Sequence, residues 1–385
     1  MLLLPAMLVT ALFVAALNWL AVRPFHRAAG QHWTERARVL WPIRQSSSFT
    51  LWLTPGITVL VALILFPEQT KDTTWPLAVA AIIGAFLGSF PLDRVLFPHL
   101  TVRSWAHQVL AWWSIRLLGF AMLITAGFMM PREWGWQTAA WTVSGVGAFV
   151  WLQRRGWLTL AEWFHIAEPA PARLVELVSS LAAQQGVRLN RMWLLRSVID
   201  GAFALPLTRE LLFTDRALEV HSEVELKAIA GHELGHLKES NAALATRAAS
   251  MFGVTPWVML KPMMASFGTA PALILLGCGS WLLGWLIKRF SRRMEMAADA
   301  AGQAAETEAG DYARALERLH EANLIPAVFP KDNLTHPHLY DRLVAIGHTP
   351  TYPRPAKPTD FNWTVLLLLL LLAVLGIVWA ARSGA

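Results

Sequence analysis

Ser222-Glu-Val-Glu-Leu-Lys-Ala-Ile-Ala-Gly-His-Glu-Leu-Gly-His236, followed by Leu237-Lys238-Glu239, is the stretch on which the reading of this chain turns. Ser222 with Glu225 three residues on is a capping box, so the pattern predicts a helix starting there. On a helix His232 and His236 are four residues apart and share one face, where two imidazoles can meet one metal ion. Glu233 lies beside the first of them, within reach of a water on that metal. Two histidines and a glutamate in this spacing suit zinc, which keeps one position open for water and lowers its pKa to about 7. Glu233 is then the candidate general base, passing the proton to a leaving amine.

The surrounding composition is not that of a soluble protein. Of 385 residues, 55% are apolar and 15% charged, with 20 Trp, a residue favoured at membrane–water interfaces. Mean hydropathy is +0.42. These values imply a multispanning α-helical membrane protein in contact with a lipid bilayer. The net charge of +7 comes from basic residues at the ends of apolar runs. They suit helix anchoring rather than nucleic acid, and no nucleic-acid partner is expected. The single cysteine, Cys278, lies in an apolar run, which excludes an internal disulfide and a cysteine-based zinc site. No basic segment precedes the first apolar run, which reads as a retained span rather than a cleaved signal.

Apolar runs at 2–22, 50–66, 75–90 (extendable to 97), 109–130 and 136–152 give about five candidate spans in an N-terminal membrane domain, 1–152. A polar region, 153–241, carries the motif. A weak run at 242–260 and a clear one at 270–287 form a membrane hairpin, 242–287. A second polar region covers 288–362, and a last span lies in 363–385, with seven consecutive leucines from Leu366 to Leu372. The stretch after the first run, with Arg23, Arg27, Arg36, Arg38 and Arg44, reads as a basic loop. It and the clusters Arg154-Arg155 and Lys288 to Arg293 then fall on the cytoplasmic side, with both polar regions. A bacterial inner membrane is the expected location, with the site facing the cytoplasm.

Within 153–241, Leu174, Leu177, Val178 and Leu181 make one face of a helix ended by Gly186. Arg191 to Arg196 reads as a buried strand, Gly201 to Leu205 as a bend and short edge segment, and Arg209 to Thr214 as another strand. Helix, small sheet and motif helix make a small α+β, zincin-like metallopeptidase domain.

A catalytic zinc needs a third protein ligand. Glu295 and Asp299, four apart in Ser291-Arg-Arg-Met-Glu-Met-Ala-Ala-Asp299, are candidates; one can bind metal while the other orients a ligand imidazole. Further on, Thr335-His336-Pro337 is followed by Arg342 six residues after the histidine. A histidine held by a Pro turn can donate to the oxyanion of a tetrahedral intermediate.

The three motifs together, over roughly 172–346, resemble the membrane zinc metallopeptidases that include HtpX and the type-1 CAAX prenyl endopeptidases. The resemblance implies one Zn2+ per chain held by His232, His236 and Glu295, with Glu233 as general base. It implies Asp299 behind the ligands, and His336 and Arg342 in the substrate cleft, His336 steadying the oxyanion. The segment Gly201-Ala202-Phe203-Ala204 resembles the family's Asn-Ala-Phe-Ala edge, along which a substrate peptide can add as a strand. Gly201 replaces the family's Asn. About five spans before the motif are closer to the CAAX type than to HtpX, and the Leu-rich terminal span fits neither branch. The implied substrates are protein or peptide: membrane-associated or misfolded proteins, or prenylated peptides. The rival readings are a membrane sensor that uses the domain for limited proteolysis and a scaffold with a relict site. Substrate and oligomeric state are not legible.

Overall fold

Apolar strands buried on both faces sit at the centre of the region that holds the motif. In the computed structural model, which describes residues 2–70, 73–98, 100–240, 244–245, 255–331 and 337–383, β1 (Ala167–Pro169), β2 (Arg191–Leu195), β3 (Ala202–Leu205) and β4 (Glu210–Thr214) form one mixed sheet in the order β1-β2-β4-β3. β2 and β4 run parallel, with Arg191 opposite Glu210 and Leu195 opposite Thr214. β1 and β3 flank them antiparallel. Alternation of side chains sorts the two apolar strands between two cores. Met192, Leu194, Leu211 and Phe213 pack with Leu174, Val178, Leu226 and Leu234 on one face. Trp193, Leu195 and Leu212 pack with Ala111, Ile115, Leu158 and Ala161 on the other. Glu210 is buried at 2% exposure and accepts from Arg155 at 2.9 Å, which compensates its charge.

By internal contacts the chain divides into two compact units. The first comprises Met1–Trp105, Asn323–Pro330 and Thr351–Ala385; the second comprises Ala106–Ala322 and Lys331–Pro350. This division follows packing, whereas the five segments above follow hydropathy, so the two do not coincide.

In the first unit, α1 (Leu3–Arg27), α2 (Trp33–Leu65) and α4 (Thr74–Leu96, after a short turn α3, Pro67–Thr70) pack with the terminal helix, Trp363–Ser383. Gly84 and Gly88 bring α4 against α1: a Cβ at either would stand 2.2 Å from the Met7 carbonyl oxygen or 2.4 Å from that of Ala11. This is the small-residue contact that lets membrane helices approach closely. The Leu-rich terminal helix seats Leu368 against Leu17 and Ile57. The basic stretch after the first run is not a loop. α2 starts at Trp33 and holds Arg36, Arg38 and Arg44 within it, through Pro42 and Pro55. Trp33, Ala37, Leu40 and Ile43 recur at helical spacing and are buried, so a packed face keeps this polar end helical.

Among the described residues, five helices are long and apolar enough to cross a membrane: Leu3–Arg27, Trp33–Leu65, Thr74–Leu96, Thr269–Ile287 and Trp363–Arg382. Exposed Trp19, Trp52, Trp75 and Trp281 on them suit a lipid-facing surface. The fourth and fifth runs are helices α5 (Val102–Met129) and α6 (Trp136–Trp151). Most of the weak sixth run, 241–243 and 246–254, lies outside the described residues.

In the second unit α7 (Trp157–Trp163), α8 (Ala172–Gln184) and α9 (Asp215–Val220) lead to α10 (Glu223–Leu237), the motif helix. Gly186, at φ +64°, ends α8's extension as the spacing predicts. The capping box of α10 is formed: Ser222 N–H and Oγ each donate to Glu225 at 2.8 Å. After α11 (Leu260–Phe267), α12 (Thr269–Ala304) runs for 36 residues without a break. The hydropathy boundary at 287/288 therefore falls inside one helix, because the Ala-rich stretch after it continues the helix with no Pro to stop it. α13 (Asp311–Ala322) and α14 (Leu339–Ala345) complete the unit.

Candidate metal centre

α10 presents two faces with different work. Leu226, Ile229, Ala230, Leu234 and Leu237 pack on the sheet. Gly231 and Gly235 meet α12, where a Cβ at Gly231 would lie 3.0 Å from the Ala301 carbonyl oxygen and one at Gly235 2.9 Å from Ala298 Cα. The absence of side chains there lets the two helices close, and this contact delivers Glu295. Nε2 of His232 stands 3.9 Å from Glu295 Oε2, and Nε2 of His236 stands 3.7 Å from Glu295 Oε1. The three ligand atoms all lie within 4.8 Å of one another. Tetrahedral zinc with bonds of about 2.0–2.1 Å separates its ligand atoms by about 3.4 Å, close to these spacings.

The far nitrogens of both imidazoles are committed, which frees the Nε2 atoms for metal. His236 Nδ1 is 2.9 Å from Glu239 Oε1. His232 Nδ1 is 2.7 Å from the Tyr312 hydroxyl and 3.2 Å from Asp299 Oδ1. Tyr312 O–H itself donates to Asp299 at 2.7 Å, so the hydroxyl oxygen is left to accept the His232 N–H. Arg342 Nε donates to Asp299 Oδ2 at 3.0 Å and Nη2 bonds its other oxygen. Burial would raise the Asp299 carboxyl, but hydrogen bonds from His232 and Arg342 and the guanidinium charge hold it well below the usual carboxylate range. Burial opposes the Arg342 charge, yet Tyr312 and Asp299 keep it firmly protonated. Burial and the neighbouring Asp299 push the Tyr312 hydroxyl far up, so it stays a neutral donor. Gly302 leaves room for this ring: a Cβ there would lie 2.7 Å from Tyr312 Cε2.

Glu233 sits between these three converging side chains and β3. Its burial raises the carboxyl above the ordinary range, while His232, His236 and the Ala204 N–H, which donates to it, draw it back. β3 ends the sheet and pairs only with β4 among the described strands, and Phe203 on it is half-exposed.

The structure thus brings together His232, Glu233, His236, Glu295 and Asp299, with Ala202, Phe203 and Ala204 on the neighbouring edge. Gly201 lies just before that edge, its N–H donating to Thr214 Oγ1 at 3.1 Å. Of the two places open to Arg342, behind the ligands or in the substrate cleft, its contacts are with Asp299. It is 9% exposed and turned to Asp299, because a buried guanidinium needs a carboxylate. His336 lies outside the described residues. Tyr312 and Glu239 were missed. Glu239 had a signal, standing three residues after His236 just past the end of the helix; Tyr312, thirteen residues after Asp299, had none. Tyr312→Phe keeps the ring and removes the hydroxyl, and is expected to weaken zinc binding about tenfold in a chelator competition with the thermal midpoint little changed.

Residues 170–349 match the model of peptidase family M48. Over 200 residues the chain is 30% identical to "Probable CAAX prenyl protease 1" of Schizosaccharomyces pombe, covering 45% of this chain and 42% of that protein. It is 25% identical over 214 residues to a "Protease HtpX homolog" of Ralstonia pickettii, covering 52% of this chain and 74% of that one. A "Protease HtpX homolog" of Thermococcus sibiricus is 26% identical over 219 residues, covering 52% and 75%. The chain thus spans less than half the length of the first relative and about three quarters of the others.

Proposed function

We propose, for a chain whose residues 170–349 match the model of peptidase family M48, that it belongs to that family and is a zinc-dependent integral membrane endopeptidase. The observation that carries the reading is the convergence of His232 Nε2, His236 Nε2 and a Glu295 oxygen, with Glu233 beside them. This donor set, two imidazoles and one carboxylate with the far imidazole nitrogens hydrogen-bonded, suits a zinc ion with a position left open. Zinc bound there supplies a Lewis acid for the scissile carbonyl and lowers the pKa of a water.

The chain's own groups do the rest. Glu233 accepts the water proton as the oxygen attacks the carbonyl carbon, then delivers it to the amine nitrogen as the C–N bond breaks. Asp299, Tyr312 and Glu239 hold the imidazoles in the tautomer and orientation the site requires. The edge of β3 offers backbone groups to an extended peptide, which can add as a strand beside Glu233. His336 is assigned to the oxyanion on its sequence motif. The apolar helices favour substrates held at or in the bilayer: misfolded membrane proteins or prenylated peptides. The clusters Arg154-Arg155 and Lys288 to Arg293 favour a site on the cytoplasmic side, and we place the chain in a bacterial inner membrane.

Removing metal with a chelator is expected to stop cleavage of a model peptide by the detergent-purified chain, and one equivalent of zinc to restore it. Cleavage that survives complete metal removal, shown by elemental analysis, would overturn the reading.

A further inference from the structure

Asp200 and His221 have no part in the chemistry above, yet both side chains are fully enclosed, with His221 Nε2 2.8 Å from Asp200 Oδ2. Among the described residues the other ring nitrogen, Nδ1, meets no hydrogen-bond partner. The carboxylate is therefore the imidazole's polar anchor. A buried pair of this kind adds little to stability over well-packed apolar groups, because desolvation offsets the attraction. Its positions in the chain give it another use.

Asp200 directly precedes Gly201 and the edge strand β3. His221 directly precedes Ser222, which caps the metal-binding helix α10. On its inner side β3 is fixed to β4: Gly201 N–H donates to Thr214 Oγ1 at 3.1 Å and Thr214 N–H donates to the Gly201 carbonyl at 2.9 Å. Toward α10, two hydrogen bonds among the described residues hold it. One is the Ala204 N–H on Glu233. The other is the Asp200–His221 hydrogen bond at the entry of both elements.

We propose that Asp200 and His221 are a positioning pair that holds the free edge of β3 in register with α10, and so sets how tightly a peptide strand binds across the site. This rests on the peptidase reading. Neither residue touches the reacting atoms. Losing the link lets the edge move relative to Glu233 and weakens binding of ground state and transition state alike, which raises KM without lowering kcat.

The test has two arms. In the first, wild-type zinc protein is assayed for cleavage of an extended model peptide, which examines the peptidase reading alone. In the second, the same peptide carrying a fluorophore is titrated into zinc-loaded Glu233→Gln protein, with and without changes at the pair, so that binding is read without hydrolysis. Asp200→Leu combined with His221→Phe replaces the pair by apolar groups and avoids an unpaired buried charge. It is expected to weaken peptide binding about tenfold, the scale of one lost buried hydrogen bond, with zinc content unchanged. Asp200→Asn, whose amide oxygen still accepts the His221 N–H, is expected to bind like the parent. In the cleavage arm the same changes move KM and leave kcat within about twofold. Equal peptide binding by parent and double variant, no peptide binding at all, or weakening that Asp200→Asn shares would overturn the proposal. Peptide binding that responds to the pair while wild type cleaves nothing would overturn the peptidase reading and keep the pair.

Discussion

Glu233→Gln is expected to abolish peptide cleavage while zinc content stays at one per chain. Gln has the shape of Glu and can still accept the Ala204 N–H that Glu233 receives. It makes no ligand bond in this site, since the three converging atoms come from His232, His236 and Glu295. What it cannot do is take a proton from water and return it to the leaving nitrogen. General acid–base catalysis is worth roughly 10²–10⁴ in rate, and the loss should be at least of that order. The measurement is cleavage of a model peptide, or of a co-expressed misfolded membrane protein, alongside elemental analysis of the same sample. Unchanged cleavage would remove Glu233 as the base. The same variant separates the candidate substrates. Proteins that accumulate in Glu233→Gln cells relative to wild type should be many membrane proteins if damaged chains are the substrate. A single accumulating partner would point to limited proteolysis in signalling.

Gly235→Leu should be nearly as damaging, although the residue carries no functional group. A Cβ at Gly235 would lie 2.9 Å from Ala298 Cα and 3.0 Å from Ala301 Cβ. The first of these is backbone and cannot swing aside. The whole of α12 has to move, and Glu295, one turn before Ala298, moves with it. Overpacking of this kind costs about 1–3 kcal/mol. A displacement near 1 Å at a reacting centre costs about 10² in rate. The expected result is a lower thermal midpoint, a large drop in zinc occupancy and loss of cleavage. Gly277 in the same helix is the control, since a Cβ there meets nothing within 4 Å. Gly277→Ala should leave zinc and activity unchanged. If Gly235→Leu binds zinc fully and cleaves at the wild-type rate, the closeness of α10 and α12 is not what sets the third ligand.

Much of this arrangement is legible in the sequence, for reasons that can be named. The capping box at Ser222 and Glu225, the 232/236 spacing and the Gly186 stop are local signals, and local signals survive folding when nothing opposes them. The strands from Arg191 and to Thr214 are short, apolar and bounded, and each appears within a residue of its expected limits. Where the reading departs from the fold, charge is the reason. The polar segment from Trp33 to Arg44 read as a loop because charge was taken as the end of a helix. In the fold it stays helical because Ala37, Leu40 and Ile43 are buried on one face. At Lys288 the apolar span ends as hydropathy indicates, but the helix continues to Ala304, since hydropathy changes there and backbone conformation does not.

Sequence alone determined the chemistry this chain can hold, because ligand type and helical spacing are properties of a few adjacent residues. It also determined the abundance of membrane-length helices, because burial in lipid requires long apolar runs. The tertiary structure decided which distant groups meet. Glu295 reaches the histidines only because Gly231 and Gly235 let α12 approach. Tyr312 orients His232 only because Gly302 leaves space for its ring. Arg342 turns to Asp299 because a buried guanidinium requires a carboxylate. Asp200 and His221 meet only because the start of the edge strand and the start of the motif helix fold to the same point. These are contacts between residues from 13 to 80 positions apart, such as Tyr312 with Asp299 and Tyr312 with His232, and no local periodicity or cap encodes them.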